Sequence, residues 1–353
     1  MSLGPTLSER IARARADLRM GLPIVIGEDL VASAETLNPE RLTLIQDGSA
    51  YLAITNRRAE TLKARPYDGD LARILLPRDA DLTWVQSMAD PADDLRHPMK
   101  GPFNHLRDAN SDVARAAIDL AKSARLLPAI IVCPTSGNKY SGLTELPLDD
   151  LQAELTKSSP LQRISDAKVP LQVSTASRVH VFRPADGGEE HYAIEIGEPN
   201  RAKPVLTRLH SACFTGDLIG SLKCDCGPQL RSALAQMGSE ASGVLLYMNQ
   251  EGRGIGLANK MRAYTLQDQG FDTVEANHRL GFEDDERDFR LGAEILRALR
   301  IDQVRLLTNN PAKVNMLSQQ GISVTERVAL KVGENIHNTE YLAIKAAKSG
   351  HIL

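Results

Sequence analysis

Residues 244–270 read VLLYMNQEGRGIGLANKMRAYTLQDQG, and their pattern predicts the fold class of the C-terminal half. The apolar run Val244–Met248 has the length and composition of a buried strand, and Leu257–Gln269 has the apolar spacing of a helix. Three glycines stand between these two segments, where the chain must turn. A strand, a short turn and a helix in this order are typical of α/β domains.

The same order recurs towards the C-terminus. Val304–Thr308 is a predicted strand, and Pro311–Gln320 is a predicted helix with Asn310 as its cap and proline in its first turn. The other predicted elements of this half are helices at Gln229–Met237 and Arg290–Leu299 and strands at Arg178–Phe182, Tyr192–Ile196 and Val205–Leu209. We therefore expect an α/β (α+β) fold in which a mixed sheet has flanking helices.

The first half of the chain predicts a second domain of mixed α and β structure, because 353 residues exceed what one core usually spans. Its predicted elements are helices at Leu7–Leu18 and Ser111–Ala124 and strands at Pro23–Ile26, Tyr51–Thr55 and Pro128–Cys133. A polar stretch rich in Gly, Ser and Pro follows. We expect domains at 1–133 and 174–353, joined by a linker at 134–173 with a short helix near Asp149–Lys157.

The composition argues against several classes of protein. The chain has 42 basic and 45 acidic residues and a net charge of -3, so we expect no general binding of polyanions and no nucleic-acid partner. No apolar run approaches the length of a membrane-spanning helix, and the N-terminus lacks the apolar region of a secretory signal. We therefore expect a cytoplasmic protein that does not associate with membranes.

Three of the four cysteines lie close together in HSACFTGDLIGSLKCDCG, residues 210–227. Ten residues separate Cys213 from Cys224, and one residue separates Cys224 from Cys226. Three thiolates can bind zinc and leave its fourth position to water, which is the pattern of a catalytic site. The alternatives are packed free thiols, or a structural site completed by His210. The spacing favours zinc with an open fourth position.

Three further segments carry candidate phosphate-binding or catalytic residues. Glycines in NQEGRGIGLANK let the backbone approach a ligand closely, and Arg253 adds a positive charge, although many such turns only reverse the chain. In GFEDDERDF acidic residues surround Arg287, and a solvated charged loop is the alternative. In LLTNNPAKV the first turn of the predicted helix contains Lys313, which suits a phosphate or a base edge, although a plain strand-to-helix turn is equally compatible.

These segments together resemble the GTP cyclohydrolase II family. The resemblance rests on R-x-H-S-x-C-x-T-G-D, S-L-x-C-D-C-G, Q-E-G-R-G-I-G-L-x-N-K-x-R-A-Y-x-L-Q-D-x-G, D-T-V-E-A-N, D-E-R-D and L-L-T-N-N-P in this order, and on K-A-x-K-x-G-H-x-L at the end. It covers about 180 residues, Ser174–Leu353. So many ordered motifs do not agree by accident.

The resemblance implies a zinc enzyme that opens the imidazole ring of GTP. The matching zinc ligands are Cys213, Cys224 and Cys226, one ion per chain, and the zinc would activate the water that attacks C8 of guanine. Tyr264 matches a catalytic tyrosine and Asp285 a proton acceptor. Arg287 matches a residue assigned as a nucleophile towards the α-phosphate; because a guanidinium stays protonated, a charge clamp is the safer interpretation.

The resemblance also implies the substrate-binding residues. Glu251 can accept from the two adjacent donors of guanine, and the basic residues would bind the triphosphate together with Mg²⁺. The matching positions are Arg208, Gln229, Glu251, Gly252, Arg253, Thr273, Thr308 and Lys313. One departure is Ala212, which stands where the family often has Glu, and it concerns substrate choice. We expect a homodimer.

The N-terminal half has a weaker resemblance, to 3,4-dihydroxy-2-butanone 4-phosphate synthase. It rests on ARADLRMGLPIVI and AAIDLAKSARLLPAIIVC, residues 14–26 and 116–133. The acidic metal-binding run of that enzyme is missing, since only Glu28 and Asp29 follow the first strand. We therefore expect a degenerate domain without synthase activity, whose remaining task is dimerisation or stabilisation of the catalytic half.

The predicted function is zinc-dependent hydrolysis of GTP to 2,5-diamino-6-(5-phosphoribosylamino)pyrimidin-4-one, formate and pyrophosphate, the first step of riboflavin biosynthesis. One alternative is a related cyclohydrolase that opens another purine or pyrimidine ring. The other is a nucleotide sensor without catalysis, against which the presence of Tyr264, Asp285, Arg287 and all three cysteines argues.

Overall fold

A computed structural model describes residues 3–46, 48–107, 110–135, 140–350 and 352 of the chain. Two compact units divide the chain between them. The first unit consists of Met1–Lys157 and Ala258–Glu286, and the second consists of Ser158–Leu257 and Arg287–Leu353. The chain therefore passes from one unit to the other three times.

The elements are named here in chain order. The helices are α1 Leu7–Arg19, α2 Pro39–Ile45, α3 Asn56–Leu62, α4 Leu82–Ala89, α5 Asp112–Ser123, α6 Leu151–Thr156, α7 Cys226–Ser239, α8 Leu257–Asp268, α9 Thr273–Arg279, α10 Arg290–Ala298, α11 Pro311–Gln319 and α12 Thr339–Ser349. The strands are β1 Ile24–Ile26, β2 Asp29–Ser33, β3 Tyr51–Thr55, β4 Leu71–Leu75, β5 Ala129–Cys133, β6 Glu145–Leu146, β7 Leu161–Lys168, β8 Ser177–Pro184, β9 His191–Gly197, β10 Val205–Ser211, β11 Ser242–Met248, β12 Gln303–Leu307 and β13 Ser323–Val328. A π-helical turn covers Phe214–Leu218, and a 3₁₀ turn covers Glu251–Gly254.

The first unit is built on a sheet with the strand order β4-β3-β5-β2-β1-β6. Its pairings are antiparallel except for the parallel pair of β1 with β6. Helix α5 is rich in alanine, so it packs closely against the sheet and against α1. Leu18 and Leu120 are fully buried in this core, and burial of such a side chain contributes roughly 1.5–3 kcal/mol.

The segment Ala258–Glu286 belongs to the first unit although it lies inside the C-terminal half of the sequence. The Thr55 hydroxyl donates to the carbonyl oxygen of Gly281 over 2.8 Å, and Phe282 is 1% exposed. Asn259 is fully buried and donates to the carbonyl oxygen of Arg125 over 3.0 Å. The segment is thus part of the folded core of the first unit.

The second unit has a mixed sheet with the order β13-β12-β10-β11-β9-β8-β7. Strands β13, β12, β10 and β11 are parallel, and β9, β8 and β7 continue the sheet in antiparallel fashion. Alternate residues face opposite cores: Val244 and Leu246 face the side with α10 and α11, and Leu245 faces the side with α7. The carboxyl ends of β10, β11 and β12 therefore lie side by side, at what is called here the carboxyl edge of the sheet.

The expected α/β (α+β) fold class is confirmed, and the C-terminal half has the expected mixed sheet with flanking helices. The segments with the clearest helix or strand patterns form the expected elements. Tyr51–Thr55 is a strand, and the Asn310 side chain accepts from the Ala312 amide as the expected helix cap. The side chain of Ser111, the expected cap, makes no capping hydrogen bond to the helix backbone. No helix in the described part of the chain is long and apolar enough to cross a membrane.

The compact units divide the chain differently from the expected domains at 1–133 and 174–353. The expected linker 134–173 contains β6 and α6 of the first unit and β7 of the second. Strand β7 pairs with β8 along its whole length, so it is an edge strand of the second sheet. Most of its residues are exposed, which explains why its sequence lacks an apolar pattern.

We predict that Gly281 is needed for residues 258–286 to pack against the rest of the first unit. Its φ of +87° is left-handed, and a Cβ there would lie 2.8 Å from Cγ of Pro128 and 2.9 Å from Oγ1 of Thr55. Gly281→Ala should lower the apparent free energy of unfolding by about 2–4 kcal/mol, because backbone strain and overpacking add. Urea denaturation of the full chain measures the loss. Gly270→Ala is the control, since its φ is +99° but nothing lies within 4 Å. Equal losses in the two variants would contradict the packing argument.

Candidate metal centre and substrate site

Three thiols meet at the carboxyl end of β10. Cys213 follows this strand, and Cys224 and Cys226 lie at the beginning of α7. Their sulfur atoms all lie within 4.8 Å of one another, and the Sγ atoms of Cys213 and Cys224 are 3.7 Å apart. No disulfide joins them. The expected group of ligands is therefore brought together by the fold.

Two glycines allow the segments that carry these thiols to approach so closely. A Cβ on Gly216 would lie 2.8 Å from the sulfur of Cys224 and 3.1 Å from that of Cys213. A Cβ on Gly227 would lie 2.1 Å from the carbonyl oxygen of Gly216. Any larger side chain at either position would therefore push the π-helical turn away from α7.

The thiols suit a soft cation. The hydrogen bond with Cys213 raises the pKa of Cys224 to about 11, and hydrogen bonds to Cys213 and Cys224, together with burial, hold the pKa of Cys226 well above its usual range. Neighbouring thiols thus oppose one another's ionisation, and a bound cation removes that opposition. Three sulfur donors at this spacing fit a metal ion of the zinc type.

Asp217 attaches residues 213–226, called here the metal loop, to the sheet. Its carboxylate accepts from the backbone N–H of Cys213 over 3.0 Å, from the Tyr247 hydroxyl over 3.0 Å and from Nε2 of His210 over 3.0 Å. The His210 ring stacks on Tyr247 with 5.5 Å between ring centroids. Burial lowers the pKa of His210, so the imidazole is neutral and its proton lies on the nitrogen that faces Asp217. His210 therefore supports the loop and is not one of the grouped metal ligands among the described residues.

A buried polar network fixes Asp225, the residue between Cys224 and Cys226. Nζ of Lys345 on α12 donates to its Oδ1 over 2.9 Å, and the Gln229 amide donates to its other oxygen. Burial opposes the charge of Lys345, but the neighbouring anionic groups outweigh it and raise the pKa of Lys345 above its usual range. The network continues because Arg208 donates to Oε1 of Gln229. Burial lowers the pKa of Arg208 to about 10, so it stays charged at neutral pH.

The glycine-rich turn after β11 has an unusual backbone. Gly252, Arg253, Gly254 and Gly256 all have positive φ, at 63°, 60°, 97° and 88°. A left-handed arginine costs energy, and such strain is found mainly where the backbone serves a function. Glu251 is buried, and its carboxylate accepts from the backbone N–H of Phe214 over 2.6 Å. This contact fastens the turn to the residue that follows Cys213.

The third strand end contributes Thr308 and the helix α11. Thr308 is 3% exposed, and its hydroxyl oxygen accepts from the Asn310 backbone over 3.0 Å. Lys313 is buried and donates to the carbonyl oxygen of Leu209 in β10 over 2.8 Å. The cationic groups of Lys313 and Arg287 lie 5.1 Å and 4.7 Å from the centre of the Phe289 ring. The Phe289 ring therefore contacts two basic side chains near the end of β10.

Several buried polar atoms near this edge have no hydrogen-bond partner within the described structure. They are Nε of Arg208, Nδ1 of His210 and Oε1 of Gln250. Arg287 also reaches the edge, since its Nη1 lies 3.3 Å from the Ser211 hydroxyl two residues before Cys213. Unpaired buried polar groups are costly unless a ligand or water completes them, so this edge is suited to a polar ligand.

The predicted site residues divide between the two compact units. The second unit contains Cys213, Cys224, Cys226, Arg208, Gln229, Glu251, Gly252, Arg253, Arg287, Thr308 and Lys313. The first unit contains Tyr264, Thr273 and Asp285. Tyr264 lies on α8, with Nζ of Lys260 5.7 Å from the centre of its ring. Thr273 begins α9, and its hydroxyl accepts from the Gln267 amide over 3.1 Å.

The acidic stretch around Asp285 and Arg287 is a loop in which Glu283 and Asp285 are exposed. Four of its acids form ion pairs: Glu283 with Arg57, Asp284 with His278, Glu286 with Lys122 and Asp288 with Arg290.

Sequence reasoning missed several residues that shape the site. Asp217 and Gly216 lie within the quoted T-G-D motif, and Gly227 ends C-D-C-G, so the motifs themselves were the available signal. Lys345 lies in the closing K-A-x-K motif. Tyr247 and Phe289 were indistinguishable from ordinary apolar residues of a strand and a loop.

The fold and the site define an α/β protein with three grouped thiols that could hold a metal ion at the carboxyl edge of its parallel strands. Comparison with known proteins narrows this class. The family model for GTP cyclohydrolase II matches residues 162–329. A GTP cyclohydrolase-2 of Azospirillum brasilense is 42% identical over 359 residues, covering 97% of this chain and 93% of that protein. The chain belongs to the GTP cyclohydrolase II family.

Two further comparisons are with a relative that matches part of the chain and with a solved structure. A GTP cyclohydrolase-2 of Enterobacter sp. (strain 638) is 53% identical over 193 residues, which cover 55% of this chain and 98% of that protein. A solved structure, RibBX, a two domain 3,4-dihydroxy-2-butanone 4-phosphate synthase from A. baumannii, covers 85% of this chain and 93% of its own at 19% identity and a TM-score of 0.31. A likeness of that size does not assign the first unit to a family.

We predict that the ion pair of Lys345 with Asp225 is essential to the metal loop. The side chains are 11% and 4% exposed, and breaking a buried pair from one side costs about 3–5 kcal/mol. Lys345→Met should therefore lower the apparent free energy of unfolding by that amount and weaken metal binding, measured by urea denaturation and metal titration.

Lys157→Met is the matched control, because the Lys157 side chain in its pair with Glu154 is 66% exposed and such pairs contribute about 0–1 kcal/mol. If Lys345→Met unfolded at the same urea concentration as Lys157→Met, the structural role of this pair would have to be abandoned.

Proposed function

We propose that the chain hydrolyses GTP to 2,5-diamino-6-(5-phosphoribosylamino)pyrimidin-4-one, formate and pyrophosphate, the first step of riboflavin biosynthesis. The observation that carries the proposal is the cluster of three thiols at the end of β10, the strand that also contains Arg208 and accepts a hydrogen bond from Lys313. Ring opening needs an activated water, and the triphosphate needs fixed positive charge. The same strand end provides ligands for the first and cations for the second.

One zinc ion per chain would be held by Cys213, Cys224 and Cys226. Bound zinc supplies Lewis acidity, which makes water a nucleophile near neutral pH. Asp217 holds the Cys213 backbone and the neutral His210 ring in place, so the loop geometry is set before substrate arrives.

Glu251 is the proposed reader of the guanine edge. Its burial and its hydrogen bond from the Phe214 backbone fix the carboxylate beside the metal loop. Each carboxylate oxygen has two lone pairs, so the group can still accept from N1–H and the exocyclic amine of guanine. Adenine presents no such pair of donors, so it would leave the remaining acceptor positions of this buried carboxylate unfilled.

The phosphates would be bound by residues at the three strand ends. Arg208 and Lys313 are buried basic residues, and the hydroxyl of Thr308 is at the start of the turn into α11. Gly252 and Arg253 supply left-handed backbone to the turn after β11. Gln229 orients Arg208 through its hydrogen bond. Mg²⁺ would accompany the triphosphate.

Arg287 would clamp the α-phosphate during loss of pyrophosphate, and Phe289 and Ser211 hold its guanidinium for this role. Tyr264 would act at the base, Asp285 would accept a proton, and Thr273 would contribute to substrate binding. The absence of synthase activity in the first unit, the homodimer and the cytoplasmic location stay predictions.

The direct experiment is incubation of the zinc-loaded protein with GTP and Mg²⁺ alone. Formate, pyrophosphate and the diaminopyrimidine should appear together. Cys224→Ser should lose most of its zinc by metal analysis and should no longer release formate, because two thiolates hold the ion too weakly. Full zinc occupancy in this variant would disprove the ligand assignment, and formate from another purine but not from GTP would disprove the substrate.

A second experiment separates the two halves of the reaction. Tyr264→Phe loses only the hydroxyl, so it should release pyrophosphate and yield GMP while formate falls at least about 100-fold, the usual size of a lost proton-transfer group. Arg287→Ala should lose both products if pyrophosphate departs first.

Pyrophosphate and formate are quantified in parallel for both variants. If Tyr264→Phe bound GTP but lost both products equally, the two-step assignment would be incorrect. Pyrophosphate release by Arg287→Ala at the parent rate would remove its phosphate role.

A further inference from the structure

Helix α8, which carries Tyr264, has one face buried in the first unit. Its residues advance by about 100° each, so Asn259, Ala263 and Leu266 lie on one side and Tyr264 about 140° from Asn259. Asn259, Ala263 and Leu266 are buried, whereas Tyr264 is partly exposed. Any rotation of α8 about its axis would therefore change the direction of the tyrosine ring.

Arg262 on the same helix is held at three of its nitrogen atoms. Its Nε donates to Asp90 over 2.9 Å, its Nη2 donates to Glu35 over 2.9 Å, and its Nη1 donates to Asn259 over 2.7 Å. The guanidinium is planar, so three such contacts fix its plane as well as its position. The Arg262 side chain is 25% exposed, and those of Glu35 and Asp90 are 16% and 31% exposed.

The two acids are themselves fixed by the backbone of the first unit. The second oxygen of Glu35 accepts from the Leu127 N–H over 2.7 Å, and that of Asp90 accepts from the Ala92 N–H over 2.9 Å. Beyond the end of α8, the Gln269 amide donates to the carbonyl oxygen of Ala92 over 2.9 Å. Both ends of the helix are thus attached to the part of the chain before residue 134.

We propose that Glu35 and Asp90 are positioning residues for the cyclohydrolase reaction, which act through Arg262 to fix the rotation of α8 and so the direction of Tyr264. The N-terminal half then serves the C-terminal reaction directly, as the support of the helix that carries a catalytic side chain. The proposal rests on the proposed function, because it takes from there the role of Tyr264 at the base.

The residues around Asp285 are attached to the first unit in the same manner. Glu283 forms a two-pronged pair with Arg57, and Glu286 accepts from Lys122 over 2.8 Å. Two of the acids near Asp285 are therefore paired with basic residues of the N-terminal half. A support that reaches both Tyr264 and the neighbourhood of Asp285 fits a function in catalysis better than one in stability alone.

The test uses the full chain with the double substitution Glu35→Gln and Asp90→Asn, which removes both charges at nearly constant shape. Backbone amide hydrogen exchange within 258–268 should become faster. The kcat for formate should fall by about 10–100-fold, since displacement of a catalytic group by about 1 Å can have that effect. The KM for GTP and the zinc content should stay close to those of the parent.

The matched control is Asp70→Asn with Asp112→Asn, which removes the two acidic partners of Arg115 elsewhere in the first unit. It should leave the hydrogen exchange of 258–268 and the kcat unchanged. A control that lowered kcat equally would overturn the proposal, because general destabilisation would then explain the effect.

Two results for the double variant would also overturn the proposal: unchanged exchange in 258–268, or faster exchange with the parent kcat. If the double variant does not fold by circular dichroism, Arg262→Lys replaces it, since it keeps the charge but loses the planar fork. Arg262→Lys should show a smaller fall in kcat, and a parent kcat would overturn the proposal. The parent and Tyr264→Phe are assayed alongside: formate from Tyr264→Phe at the parent rate would locate the error in the proposed function and not in the attachment of α8.

Discussion

The second unit depends on the close approach of two backbone segments, at Gly216 and Gly227. Only hydrogen atoms fit between the Gly227 α-carbon and the carbonyl oxygen of Gly216, so the π-helical turn can lie directly on the first turn of α7. This approach sets the distance between Cys213 and the two cysteines at the start of α7. The position of Asp217, and through it of His210 and Tyr247, follows from the same contact.

The site combines a soft donor set with buried charge, and the charge of Asp225 is compensated by Lys345. Asp225 would repel thiolates on either side of it if Lys345 did not neutralise it. Lys345 and Arg208 are kept charged in surroundings that oppose charge, because anionic groups lie close to both. A network of this kind tolerates few alternative arrangements, since moving one member leaves a buried charge unpaired.

Much of the fold and the ligand set could be predicted because the signals are local. The cysteines, the glycine turn and the Asn310 cap each depend on residues within a few positions of one another. Strand β7 was missed because an exposed edge strand needs no apolar alternation. No local pattern predicts a contact between residues that are far apart in sequence. Asp225 and Lys345 are 120 residues apart, and Thr55 and Gly281, which attach Ala258–Glu286 to the first unit, are 226 residues apart.

The threefold passage of the chain between the units has a consequence for synthesis on the ribosome. The Thr55 hydroxyl and the Gly281 carbonyl that close the first unit are separated by 226 residues. Translation adds about 5–20 residues per second, so the N-terminal sheet waits on the order of ten seconds or more for its last segment. During that interval strands β7–β11 of the second unit emerge and can pair, so the second unit begins to form before the first is complete. Until Phe282 is synthesised, the surface that it covers in the folded first unit stays exposed in the nascent chain.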